Sequence, residues 1–130
     1  MLTAGRKRIL PLRQGFLGKT YVTFLKDLKK EGYTINAYYL WLQNIDLALK
    51  RIKGRVREGG HNVPEDVVCR RYSRSLHNLF HVYRPLFDSL MFLDNSLAYP
   101  AIIAIEKNHQ LKVTNQRLFN ALITYSQEAS

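Results

Sequence analysis

Residues 33–42, YTINAYYLWL, are rich in aromatic and β-branched residues and become apolar on both alternating faces towards Trp41 and Leu42. A strand wetted on one side alternates apolar with polar side chains. A run that is apolar on both faces suits an interior strand of a parallel sheet, covered on both sides. Parallel neighbours need helical crossovers, so such a strand demands amphipathic helices around it.

The sequence supplies them. Before the strand, Tyr21, Phe24, Leu25 and Leu28 recur at i, i+3, i+4 and i+7 opposite Lys26, Asp27, Lys29 and Lys30, and Gly32 is a stop signal. After it, Asn44 or Asp46 can cap a helix with an Ala48, Ile52 and Val56 stripe, ended by Gly59 and Gly60. HNVPEDVV opens another, with Asn62 as N-cap, Pro64 in the first turn and Glu65 at the capping-box position. Val68, Tyr72, Leu76, Leu79, Phe80 and Tyr83 continue its buried face until Pro85. LMFLDN, residues 90–95, reads as a second strand, and AIIAIEKNHQLKV as a hairpin turning at Lys107, Asn108 and His109. Leu118, Phe119, Leu122 and Ile123 indicate a closing helix. Residues 1–17, with Arg6, Lys7, Arg8 and Arg13 among Gly5, Pro11 and Gly15, show no sustained apolar period and are assigned no fold, as a poorly ordered or divergent segment. The expectation is an α/β domain over 18–130.

At 130 residues and 46% hydrophobic content, one modest core is possible and disordered or collagen-like classes are excluded. No apolar run reaches the roughly 20 residues of a membrane span and none resembles a signal peptide, so a cytoplasmic location without membrane partners is expected. The lone Cys69 offers neither an internal disulfide nor a cysteine-rich zinc site.

Charge carries the functional signal. Twenty Lys+Arg against ten Asp+Glu give a net of +10, and an anionic partner follows. The densest basic region holds Lys50, Arg51, Lys53, Arg55, Arg57, Arg70, Arg71, Arg74 and Arg84 against Glu58, Glu65 and Asp66. Arginine binds phosphate through paired hydrogen bonds, and two helices joined by a Gly-Gly turn can bring Arg55 and Arg57 near Arg70, Arg71 and Arg74. A solvated basic face with a few ion pairs is the equal alternative.

Other motifs carry less. Gly15-Phe-Leu-Gly18-Lys19-Thr20 imitates a phosphate-binding loop, but Arg13 stands where its first glycine belongs. His77 and His81 share a helical face without a third ligand, so no metal is expected. Cys69 has no base beside it. Asp88 and Asp94 lie nearest strand ends, where α/β folds place function, although Asp94-Asn95-Ser96 is equally a plain turn. Tyr38, Tyr39 and Trp41 could stack on bases if exposed, but an interior strand would bury them.

Longer strings say more than periods. GYTINAYYLWLQNIDLALKRIKGRVREGGHNVPEDVVCRRYSRSLHNLFHVYRPLFDSLMFLDNS, and within it RVREGGHNVPEDVVCRRY, LHNLF and DNS, resembles the C-terminal half of zeta-toxin-like kinases, over about residues 18–125. The resemblance implies a partial P-loop, nucleoside-kinase-like three-layer fold with a helical lid around Gly59-Gly60-His61 and a C-terminal β-hairpin. It implies ATP and magnesium as cofactors, and a lid in which Arg55, His61 and Arg71 meet the phosphates, supported by Arg51, Arg57 and Arg74. It further implies phosphorylation of a nucleotide sugar of the UDP-N-acetylglucosamine type, and an antitoxin or complementing chain as partner.

The family's Walker A loop, its magnesium-binding Ser/Thr and its catalytic acid have no counterpart in these residues, so no catalytic residue is assigned. The chain resembles a truncated remnant, and no significant turnover is expected of it alone. A missing first strand would leave a sheet edge exposed to self-association. The alternative is a small basic nucleic-acid-binding protein, although neither a helix-turn-helix nor an aromatic RNA-binding motif is evident.

Overall fold

A computed structural model describes residues 2–4, 8–10, 21–60 and 64–128, the first two stretches by backbone pairing alone. Its elements run β1 (Leu2–Ala4), β2 (Arg8–Leu10), α1 (Val22–Lys30), β3 (Ile35–Trp41), α2 (Ile45–Arg57), α3 (Glu65–Asn78), β4 (Ser89–Asp94), β5 (Ala101–Lys107), β6 (Gln110–Val113) and α4 (Gln116–Glu128). One mixed sheet takes the order β2-β1-β3-β4-β5-β6. Among the described strands only β3 and β4 pair in parallel, and α2 and α3 form the crossover between them.

Local chemistry sets the boundaries. Lys29 and Lys30 complement the C-terminal dipole of α1, and Gly32, at φ +88°, turns the chain towards β3. Asn44 caps α2 by accepting from the Leu47 N–H at 2.8 Å. The α2 exit is a Schellman motif: Gly59, at φ +96°, donates to Val56 O, and Gly60 donates to Arg55 O at 2.7 Å. The N-cap of α3 is Pro64, with Glu65 and Asp66 in the first turn; the expected cap, Asn62, lies outside the described residues. Pro85 has no N–H to continue the ladder, and the chain ahead of it loosens into a π turn, Leu79–Tyr83, and a 3-10 turn, Arg84–Leu86. Asn108 and His109, at φ 53° and 63°, make the two-residue β5–β6 hairpin turn.

The faces of the sheet follow from register. Ala37 pairs with Leu90 and Tyr39 with Phe92, so Ile35, Ala37, Tyr39, Trp41, Leu90, Phe92 and Asp94 share the face that meets the helices. Leu25 of α1, Leu76, Leu79 and Tyr83 from the α3 segment, and Leu118, Phe119 and Leu122 of α4 form a core with the apolar residues of that face. Phe92 meets Phe80 at 5.5 Å and Phe119 at 5.7 Å between ring centroids, which fixes the π turn after α3, and α4, over β4. Burying these large side chains at about 1.5–3 kcal/mol each is the main favourable term.

The helix, strand, helix, helix, strand, hairpin, helix order agrees with the sequence reading, and the protein is mixed α/β. Three features differ. Residues 2–4 and 8–10 form a hairpin at one edge, antiparallel to β3, where the sequence was assigned no element. Strands this short, between glycine and arginine, leave no readable period. Secondly, β3 is interior but parallel on one side only, and its second face is not covered by the described residues: Tyr38 is 41% exposed and Leu40 54%. Thirdly, the described helices that contribute to the core do so from one side, so they build two layers rather than three. No helix among the described residues is long and apolar enough to cross a membrane.

Candidate phosphate-binding helical hairpin

The C-terminal ends of β3 and β4 are tied together by polar contacts. The buried Asp94 carboxylate accepts from Gln43 Nε2 at 2.8 Å and from the Ser96 N–H at 3.0 Å. Ser96 Oγ in turn accepts from the Gln43 N–H at 2.9 Å, and the Asn95 N–H donates to Trp41 O at 2.7 Å. Burial alone would raise the Asp94 pKa, but the Ser96 hydroxyl, the Gln43 amide, the Ser96 N–H and the charge of Arg117 outweigh it and hold it low. Asp94 is therefore a structural clasp, ionised and fully engaged.

From this clasp α2 departs and α3 returns. Tyr72 Oη donates to Leu42 O at 2.5 Å, and Tyr39 and Ser75 share a hydroxyl hydrogen bond at 3.2 Å. Those contacts put Tyr72 level with the end of β3, so α2 and residues 65–71 of α3 project beyond the sheet as a helical hairpin. Burial pushes the Tyr39 phenol up to about 12, against which its Ser75 hydrogen bond is a lesser influence. Ile52 and Val68 are the buried residues among those described in the projecting part. An exposed ion pair, Lys53 with Glu65 at 3.5 Å, links its two arms and contributes little.

The predicted arginines separate into two groups. Arg55, Arg57, Arg70, Arg71 and Arg74 are exposed and Arg51 half-buried, all on α2 or α3, and none has an ion-pair partner among the described residues. At helical spacing Arg51 lies beside Arg55, and Arg70 beside Arg74. His61, the remaining residue of the expected lid triad, lies outside the described residues. Arg84 belongs elsewhere: it grips Glu106 with Nε at 2.8 Å and Nη2 at 2.6 Å and rests 5.3 Å from the Phe80 ring centroid. That bidentate pair locks the 3-10 turn to β5 and removes Arg84 from the basic cluster.

The lesser candidates find structural roles. Asp88 lies at the N-terminal end of β4, opposite the crossover crevice, where it accepts from the Ile35 N–H at 2.7 Å and pairs with Lys29 at 3.3 Å. The His77 and His81 rings meet at a tilt of 40° with centroids 4.4 Å apart, and His77 Nδ1 meets Ser126 O at 3.0 Å. No cluster of three potential metal ligands occurs among the described residues. Cys69 is half-buried and unpaired in a disulfide. Gly15–Thr20, the imitation phosphate loop, lies outside the described residues. Tyr39 and Trp41 are packed, as expected of an interior strand, whereas Tyr38 is exposed.

Chemically, the projecting hairpin can bind anions with guanidinium groups that have no ion-pair partner among the described residues, and no cluster of three potential metal ligands occurs among its described residues. No protein-family profile matches the chain. An uncharacterized protein of Haemophilus influenzae is 30% identical over 83 residues, covering 55% of this chain and 59% of that protein. The chain thus spans about three-fifths of the length of this relative. No solved structure matches.

Proposed function

We propose that the chain is the lid-bearing part of an ATP-dependent small-molecule kinase of zeta-toxin type, and that its α2–α3 hairpin binds the phosphates of magnesium-ATP. One observation carries this reading: a helical hairpin on a parallel β3–β4 crossover projects past the strand ends and bears Arg55, Arg57, Arg70 and Arg71 without ion-pair partners among the described residues. Ligands of open α/β sheets bind at the carboxyl ends of parallel strands, which is where this hairpin stands. An arginine-bearing lid over a polyphosphate stabilises charge on the transferring phosphoryl group.

Arg55, Arg71 and the neighbouring Arg51, Arg57 and Arg74 supply that charge, and His61 joins them by family resemblance. These 130 residues contain no Gly-x-x-x-x-Gly-Lys-Ser/Thr sequence. The nucleotide would therefore meet one cationic wall and no phosphate cradle, so the chain binds without turning over. Nucleotide-sugar phosphorylation belongs to the assembled kinase, with a second chain or segment supplying the cradle and the acid.

Three exposed charge-assisted contacts at about 1 kcal/mol each correspond to a dissociation constant in the millimolar range. A backbone-amide NMR titration reads such affinities. Magnesium-ATP should shift the amides of α2 and α3 in a saturable manner, and Arg55→Ala with Arg71→Ala should abolish the shifts. A duplex DNA probe binding more tightly than ATP, with steep salt dependence, would replace this reading by the nucleic-acid one.

A further inference from the structure

The sheet's second face is built for a partner. Register places Asn36, Tyr38 and Leu40 of β3, Ser89, Met91 and Leu93 of β4, and Ile102 and Ile105 of β5 on the face away from the core. Tyr38, Leu40 and Ile102 are 41%, 54% and 43% exposed, in two neighbouring cross-strand rows, Tyr38–Met91–Ile105 and Leu40–Leu93–Ile102, whose Met91, Leu93 and Ile105 are half-buried. An interior strand whose open face carries Tyr38 and Leu40 contradicts the usual alternation, in which the wetted side is polar. Contiguous apolar surface of this kind marks an interaction site.

Charge tells what covers it. Beyond Ile105 the same face continues into Lys107, Gln110 and Lys112, which, with Ile105, Asn108 and Leu111, line a shallow groove of about 380 Å³ at the β5–β6 hairpin. Among the described strand residues no carboxylate shares this face: Asp94 and Glu106 point to the helices, and Asp88 is held by Lys29 and the Ile35 N–H. A second copy would bring lysines against lysines on chains that each carry +10, which disfavours sheet-on-sheet pairing. We propose that this face docks an acidic amphipathic helix of a partner polypeptide, its apolar stripe on Tyr38, Leu40, Met91 and Leu93 and its carboxylates on Lys107 and Lys112. This surface lies on the opposite side of the sheet from the core helices, and the inference stands independently of the nucleotide reading.

The test uses the full chain and a synthetic 18-residue peptide with leucine at i, i+3, i+4 and i+7 and glutamate on the flanking faces, against a scrambled peptide of the same composition. Fluorescence anisotropy should show saturable one-to-one binding of the amphipathic peptide, at least about tenfold tighter than the scrambled one. Leu40→Glu, and separately Lys107→Glu with Lys112→Glu, should each weaken it about tenfold or more, whereas Lys26→Glu with Lys30→Glu on α1 should not. These side chains are at the surface, so the variants keep their fold, which near-ultraviolet circular dichroism checks. Equal binding of the two peptides, or equal losses from the α1 reversals, would reduce the effect to diffuse charge and overturn the proposal. A concentration-dependent dimer in sedimentation velocity that Leu40→Glu dissolves would overturn it in favour of a second copy.

Discussion

Replacing Asp94 tests whether the clasp at the strand ends holds the two halves of the crossover together. The Asp94 side chain is 4% exposed and satisfies Gln43 Nε2 at 2.8 Å and the Ser96 N–H at 3.0 Å. Alanine there strands both donors. Leaving a buried donor without its charged acceptor costs about 1–3 kcal/mol, so two such losses, partly relieved by entering water, come to about 3 kcal/mol. With a urea slope of about 1–3 kcal/mol per molar, the midpoint should fall by about 1–3 M. Trp41 pairs in register with Asp94, is the chain's sole tryptophan and is buried, so its fluorescence reports unfolding beside the perturbed site. Asparagine keeps the shape but turns an amide donor towards one of the two donors, and should cost about half as much. The pH dependence gives a second constraint. A carboxylate whose folded pKa lies below its ordinary 3.8 contributes stability that is complete above that value and is lost as pH falls through the lowered one. The gap between wild type and Asp94→Asn should therefore be constant from pH 7 to about pH 5 and narrow below 3.8. An unchanged urea midpoint for Asp94→Ala at pH 7, or a gap that widens in acid, would refute the clasp.

Three further outcomes follow from the geometry. Gly60→Ala places a Cβ 2.8 Å from Arg55 O, against rigid backbone, and should lower stability by about 1–2 kcal/mol in thermal unfolding and loosen the α2–α3 turn. Arg84→Lys keeps the charge but loses the bidentate grip on Glu106, and should cost about 1–2 kcal/mol by urea titration, with magnesium-ATP shifts on α2 and α3 unchanged. Tyr39→Phe should remove a weak hydrogen bond at neutral pH yet gain in alkali: the buried phenol, with its pKa near 12, stabilises fully below 10 and loses that contribution as pH rises from 10 to 12, so the phenylalanine variant should become relatively more stable there.

Much of the fold was legible because its helices carry strong periods and clear punctuation. Gly32, Asn44, Gly59-Gly60 and Pro85 each act through the backbone chemistry that the sequence suggests. The exception at the α3 start is a shift of cap from Asn62 to Pro64, the scale on which local signals compete. The β1–β2 hairpin was not legible, since three-residue strands owe their pairing to β3 rather than to any pattern of their own. Among site residues, sequence spacing located Arg55, Arg57, Arg70, Arg71 and Arg74 on one helical hairpin but could not separate Arg84 from them. Its partner, Glu106, is 22 residues away on β5, and only the tertiary fold brings them together.

The disagreement over β3 is the most informative. Its sequence is written for a strand covered on both sides, with Tyr38 and Leu40 as apolar as Ala37 and Trp41 opposite them, yet the described residues cover one side. Neither propensity nor the hydrophobic period distinguishes cover supplied within a chain from cover supplied by another polypeptide, because both ask for the same apolar surface. Charge does distinguish them here. A surface that needed only burial would gain nothing from Lys107 and Lys112 at its margin with no carboxylate facing them among the described residues, whereas a docking surface gains register and selectivity from that asymmetry. The open face and the arginine hairpin are thus two separate cationic surfaces with different chemistry: one aliphatic and aromatic with lysines at its edge, suited to a helix, and one of solvated arginines beyond the strand ends, suited to phosphate. Reversing charge on one should leave the other's ligand in place, and the paired titrations measure that separation.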